Sequence, residues 1–246
     1  LIENNETVVI TADEIKIYNA QRERVHRYVF HVTWDADAAE KDGYSHFMLK
    51  EIHEQPKGLY ETLHRRLDEN GEIVLDGISM TKADIENFNK VYIVACGTAY
   101  HAAMVGKYLI ERIARVSTVV ETASEFRYRD PIIDEKTLVI VVSQSGETAD
   151  TLAALRISKA AGAKVLGIVN VVGSSISREA DYVFYTWAGP EIAVASTKAY
   201  SCQLAAMYLL SAHFAMLRGK MTAEEFRALR SDLIGLPAKI EEILQK

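Results

Sequence analysis

The 246-residue chain carries a formal net charge of −6, with 49% hydrophobic and 25% charged residues, the balance of an ordinary soluble globular protein. That acidity argues against a general nucleic-acid binder, which needs a basic face. No apolar run reaches the roughly 18 residues of a membrane span; the nearest, Leu204–Leu217, is interrupted by Ser211 and His213. The first residues hold Glu3 and Glu6 and no initiator Met, so the sequence reads as a fragment without a signal peptide. Cys96 and Cys202 lie far apart with no metal-ligand spacing, which sets a reducing, cytoplasmic compartment as the expectation.

In chain order, TVVIT, EIKIYN and YVFHVTW are short β-type runs within residues 1–34. They are too few for a stable domain and read as the tail of one. DADAAEKDG (Asp35–Gly43) is a polar linker, giving a 35–44 boundary segment. From Ser45 to Leu67, apolar residues at Phe47, Leu49, Ile52, Leu59, Leu63 and Leu67 predict a helix, broken or kinked near Pro56.

From Val91 the pattern is βαβ. VYIVA is a strand, followed by a turn at Cys96–Thr98 and a helix over Tyr100–Ile113. STVVET and LVIVV (Leu138–Val142) are the next two strands. SQSGE and a helix from Thr148 to Ala161 follow, then strands KVLGIVN and YVFYT and a long helix over about Ala195–Leu217. Unbroken β-branched runs alternating with helices predict a five-stranded parallel sheet in a three-layer αβα sandwich. Thr222–Gln245 predicts an amphipathic helix broken at Gly235 or Pro237.

Open parallel sheets bind ligands beyond the carboxyl ends of their strands. Three loops there have unusual composition: Cys96-Gly97-Thr98-Ala99, Ser143–Thr148, and Glu191–Lys198. The second sets three hydroxyls (Ser143, Ser145, Thr148) and Gly146 between a buried strand and a helix start. That is the composition of an anion site. The same residues also suit a helix cap by Ser145 or Glu147, and one loop can do both. No GxxxxGK[ST], GxGxxG or GxSxG pattern accompanies it, which leaves a small singly phosphorylated ligand held by neutral groups.

Other candidates carry plainer readings. Cys96 with His101 fits a nucleophile pair or, more simply, a packed cysteine and a helix histidine. Lys198 fits an anion or imine contact, or a salt bridge; Glu191 fits a base, with nothing nearby in sequence to raise its pKa. Arg127 and Arg129 fit local ion pairs or a subunit contact as well as they fit ligand binding. His46, His53 and His64 share no metal spacing.

ACGTAYHA, ETASEFRYRDP, VVSQSGETADTLAALR, GSSISREAD and EIAVASTKAY closely resemble the first sugar-isomerase (SIS) domain of the glutamine–fructose-6-phosphate aminotransferase (isomerizing) family. SQSGET indicates only the SIS class; HFMLKEIHEQP (His46–Pro56) and DADAAEKDGY resemble the aminotransferases more specifically. The resemblance implies residues 1–34 as the end of a glutaminase domain, 45–220 as the first SIS domain with a helical extension, and 221–246 as a helix leading to a second SIS domain. It implies transfer of glutamine-derived ammonia to fructose 6-phosphate and isomerisation to glucosamine 6-phosphate by the whole protein.

By motif, Cys96, Gly97 and Thr98 are implied around the sugar, with Ala99 standing where relatives often have serine. Ser143, Gln144, Ser145 and Thr148 are implied around the phosphate, and Val194, Ala195 and Ser196 at the sugar end. The glutaminase cysteine, the isomerisation glutamate, the ring-opening histidine and the tail lysine are implied in segments outside this sequence, so no catalytic residue is expected within it. The resemblance also implies a homodimer and no metal or organic cofactor. A phosphosugar sensor without catalysis and a stand-alone SIS isomerase or deglycase are the rival readings. The first would need a DNA-reading helix-turn-helix; HFMLKEIHEQP and the β-rich start disfavour the second.

Overall fold

The computed structural model describes residues 2–3, 5–27, 40–67, 72–75 and 77–246. The chain divides into two compact units, Leu1–Asp37 and Ala38–Lys246. In the first, β1 (Thr7–Ile10), β2 (Ile15–Tyr18) and β3 (Arg24–Val25) form an antiparallel sheet, with Thr7 opposite Tyr18 and Ile17 opposite Val25. The predicted strand YVFHVTW and residues 35–39 of the predicted linker lie outside the described residues.

The second unit opens with α1 (Phe47–His53) and α2 (Gln55–His64). The predicted break is present and falls at Glu54, one residue before α2. Pro56 sits in the first turn of α2, where its missing N–H costs nothing. A short helix absent from the sequence reading, α3 (Lys82–Asn87), starts with a capping box between Thr81 and Asp84.

The sheet then follows: β4 (Lys90–Ala95), β5 (Ser117–Thr122), β6 (Thr137–Ser143), β7 (Lys164–Val169) and β8 (Tyr182–Tyr185). They pair in parallel in the order β5-β4-β6-β7-β8. Between them run α4 (Gly97–Leu109), α5 (Ala123–Tyr128), α6 (Ala149–Ala160) and α7 (Ser175–Glu179), and after them α8 (Lys198–Leu217) and α9 (Ala223–Leu244). Sequence reading missed α5 and α7, each too short to show a helical period. It also began α4 three residues late, because Gly97 and Thr98 look like turn residues. A π-helical turn, Ile110–Ala114, closes α4.

The apolar strands are buried on both faces. Val91, Ile93, Leu138, Ile140, Leu166 and Ile168 face one core with Ala103 of α4 and Ala206 and Leu210 of α8. Tyr92, Val94, Val139, Val141 and Val165 face the other, with Phe126 of α5, Leu155 of α6 and Ile176 of α7. The apolar stretch of α8 is spent on the first of these cores, with Ala206, Met207, Leu209 and Leu210 fully buried. No described helix is long and apolar enough to cross a membrane.

α9 corrects the predicted break. It runs unbroken through Gly235 and Pro237. Pro237 removes one hydrogen bond. The turns on either side are held by Leu233, buried in the core, and by Leu229, Leu236 and Ile240 packed against it. A capping box between Thr222 and Glu225 starts the helix.

Gly106 lets α8 lie close on α4: a Cβ there would stand 2.5 Å from Met207 Sδ and 3.2 Å from Ile93 Cδ1. Met207 can yield, but Ile93 sits in the sheet core. Gly106→Val is expected to destabilise the fold by about 1–3 kcal/mol through overpacking, read from the midpoint of a urea unfolding curve.

Candidate functional site

The chain passes from β4 to β5 on one side and returns to β6 on the other. A crevice forms at the carboxyl ends of strands where the order reverses in this way. A cleft of about 430 Å³ opens at this point. Cys96, Gly97, Thr98 and Ala99 border it from the β4 end, and Ser143, Gln144, Ser145 and Thr148 from the β6 end. Val194, Ala195 and Ser196 border it from the loop before α8. The three loops picked out in sequence therefore meet around one cavity. Glu191 and Ala193, from the third of these loops, border it as well, and so do Val142 and Gln203, which sequence reasoning did not place there.

The β6 loop is internally bonded. Ser143 Oγ lies 2.9 Å from Thr148 Oγ1 and accepts the Gly146 N–H at 3.0 Å. Ser145 Oγ accepts the Glu147 N–H at 3.2 Å. Gly146 has φ +67°, and a Cβ on it would stand 2.1 Å from Ser174 Oγ and 2.5 Å from Ser174 Cβ. Only glycine fits there.

The structure corrects the cap reading of this loop. The N-cap of α6 is Thr148, whose side chain makes no cap hydrogen bond. Glu147 instead accepts the Ser175 N–H at 2.7 Å, at the start of α7. Cys96, the N-cap of α4, makes no cap bond either. Two helices thus present N-termini to the cleft without a side-chain acceptor, and each is a positive dipole end with free N–H groups.

The third helix end is already neutralised. Glu191 accepts the N–H groups of Thr197 (2.9 Å) and Ala199 (3.1 Å) and the Ser196 hydroxyl (3.0 Å). Its carboxylate caps α8, which leaves the base reading without support. The rest of the loop is held from α1 and α2. One oxygen of the buried Glu51 accepts the N–H groups of Ile192 (2.6 Å) and Ala193 (3.1 Å). Glu54 pairs with the buried Lys198 at 2.6 Å, and Gln55 accepts the Ser201 hydroxyl. Lys198 is therefore a buried salt-bridge partner rather than an imine or anion contact. The HFMLKEIHEQP segment acquires a physical role: its Glu51, Glu54 and Gln55 fix the loop that carries Val194–Ser196.

The remaining candidates resolve locally. The hydrogen-bond partner of Cys96 Sγ is Thr151 Oγ1 at 4.0 Å, and His101 is exposed on α4. Burial pushes the Cys202 thiol up to about 12, so it stays protonated. Arg127 pairs with Asp150 at 3.1 Å, and Arg129 with Glu121 at 2.8 Å. His53 and His64 bond the carbonyls of Leu49 and Tyr60. Among the described residues no group of His, Cys, Asp and Glu is arranged to hold a metal ion.

An open parallel sheet with hydroxyl-lined helix starts at its switch point is the architecture of a SIS domain. The SIS domain model matches residues 84–212, and the chain belongs to that family. Within it, the chain is similar to the glutamine–fructose-6-phosphate aminotransferases (isomerizing) of Clostridium tetani and Clostridium perfringens. It is 56% identical to each over 245 residues, which is 100% of this chain and 40% of the length of those relatives. The solved C-terminal domain of glucosamine-fructose-6-phosphate aminotransferase from Francisella tularensis is 45% identical. It superposes with a TM-score of 0.76 and covers 81% of this chain and 56% of that one. A structure of glucosamine-6-phosphate deaminase from Thermotoga maritima shares the fold. It is 22% identical with a TM-score of 0.60, covering 78% of this chain and 54% of that one.

Glu51→Ala leaves the Ile192 and Ala193 N–H groups without their acceptor. Each donor that stays dry is expected to cost about 1–3 kcal/mol. Denaturant melts should show the loss, and amide exchange at residues 192–193 should quicken. Glu51→Gln, which keeps an acceptor oxygen, should do less on both measures.

Proposed function

We propose that this chain holds fructose 6-phosphate for a glutamine–fructose-6-phosphate aminotransferase, with the phosphate on the β6 loop and the sugar toward the β4 loop and Val194–Ser196. The observation that carries the reading is the pair of helix starts, α4 and α6, facing one cleft without side-chain caps and beside three hydroxyls. A phosphate there gains backbone and hydroxyl hydrogen bonds and a favourable dipole interaction. The names of the relatives supply the substrate, and their similarity spans residues well before the matched SIS segment, which favours an aminotransferase over a stand-alone SIS protein.

In this reading residues 1–34 end a glutaminase domain, 35–44 link it, 45–220 are a first SIS domain and 221–246 lead to a second. The whole protein would move ammonia from glutamine to fructose 6-phosphate and shift a proton to give glucosamine 6-phosphate. A second copy of the chain as partner and a cytoplasmic setting belong to the same proposal. The two free cysteines suit that compartment. Among the described residues lining the cleft the carboxylate is Glu191, and it is committed to α8. The 246-residue chain incubated with fructose 6-phosphate and glutamine or ammonia is thus expected to yield no product above a no-protein control.

Binding tests the phosphate site. Ser145→Ala and Thr148→Val should each lose a hydroxyl contact to a charged group, about 1.5–3 kcal/mol. Affinity for fructose 6-phosphate should fall roughly tenfold or more. Thr148→Val makes no difference to a cap bond but removes the hydrogen bond with Ser143 Oγ, so thermal melts should show a stability loss of about 0.5–1.5 kcal/mol, while the affinity loss is the larger effect. Calorimetric titration with fructose 6-phosphate and with fructose reads the affinity, and thermal melts read the stability. Equal binding of the two sugars, or unchanged affinity in both variants, overturns the reading.

A further inference from the structure

Gln203 is 3% exposed and borders the cleft, and its Oε1 has no hydrogen-bond partner among the described residues. A buried amide oxygen left dry costs free energy, so native folds rarely keep one without a use. Its surroundings sharpen the point. On α8 its neighbours Cys202, Ala205, Ala206 and Met207 are apolar and buried, so the fold itself has no need of an amide at this position.

The layers fix where Gln203 stands. α6 packs on one face of the sheet, and α8 packs on the other. At the end of β6, between the two faces, Val142 and Ser143 join Gln203 in bordering the cleft. A ligand whose anion sits at the start of α6 reaches Gln203 only by extending across the strand end toward the opposite face. The part that arrives there is the end remote from the anion.

We propose that Gln203 is a specificity-determining residue whose amide oxygen accepts a hydrogen bond from a hydroxyl of the sugar, away from its phosphate. This rests on the phosphosugar reading and deepens it: the β6 loop supplies attraction for any small phosphate monoester, and Gln203 selects a polyhydroxylated one. A hydroxyl at that position satisfies the amide; a ligand without one leaves it dry.

The test uses the 246-residue chain and two variants, Gln203→Leu and Gln203→Met, titrated with fructose 6-phosphate and with inorganic phosphate. Both substitutions place an apolar side chain among apolar neighbours, so thermal melts should show unchanged or raised stability, and either variant serves if the other misfolds. The expected result is a roughly tenfold loss of affinity for fructose 6-phosphate with inorganic phosphate binding unchanged. Unchanged fructose 6-phosphate affinity overturns the role of Gln203 while leaving the phosphosugar reading standing. Parallel weakening of both ligands overturns it too, since that marks a general disturbance of the cleft. Failure of the unsubstituted chain to bind either ligand removes the phosphosugar reading and this one with it.

Discussion

The cleft's third loop depends on two carboxylates that accept backbone N–H groups, one from far along the chain and one from within the loop itself. The segment from Glu191 to Thr197 has no regular secondary structure, and Val194 stands fully in solvent, so little packing holds it. Glu51 supplies one acceptor oxygen to two of its N–H groups from 141 and 142 residues away. Glu191 does the same for the start of α8. Behind them lies the ion pair of Glu54 with the buried Lys198. A buried pair adds little net stability by itself, but removing one partner strands a charge. The geometry of the loop that carries Val194–Ser196 is therefore set by polar groups rather than by packing.

The cleft has no lysine or arginine among its described lining residues, so under the proposed reading it would meet an anion without one. Helix dipoles and neutral donors replace point charges. Such an arrangement is short-ranged and directional, because it acts within the first turn of each helix. It distinguishes where an anion sits more than it draws anions from a distance.

Much of the fold was legible because its strands are short continuous apolar runs, and TLVIVVS and KVLGIV have no other stable use. The short helices α3, α5 and α7 were not, since five or six residues carry less than two turns of periodicity. Pro237 misled because a proline ends a helix only when nothing else holds the flanking turns, and Leu233 and its neighbours do hold them. At the cleft, hydroxyls and glycines gathered at strand ends announced themselves by composition. Glu51 and Glu54 did not, because a carboxylate on a helix ordinarily signals a solvated face, and their partners lie far along the chain. Gln203 had a faint signal: an amide set among apolar residues on a helix that is buried nearly all round.

The clamp from α1 and α2 also bears on modularity. The stretch that matches the SIS model begins at residue 84, yet the groups that anchor the loop before α8 stand at positions 51, 54 and 55. A segment cut at the family boundary would keep the sheet, both open helix starts and the glycine turn. It would lose the acceptor for two N–H groups and the counter-ion of a buried lysine. In this protein the unit that is inherited as a domain is shorter than the unit that shapes the pocket.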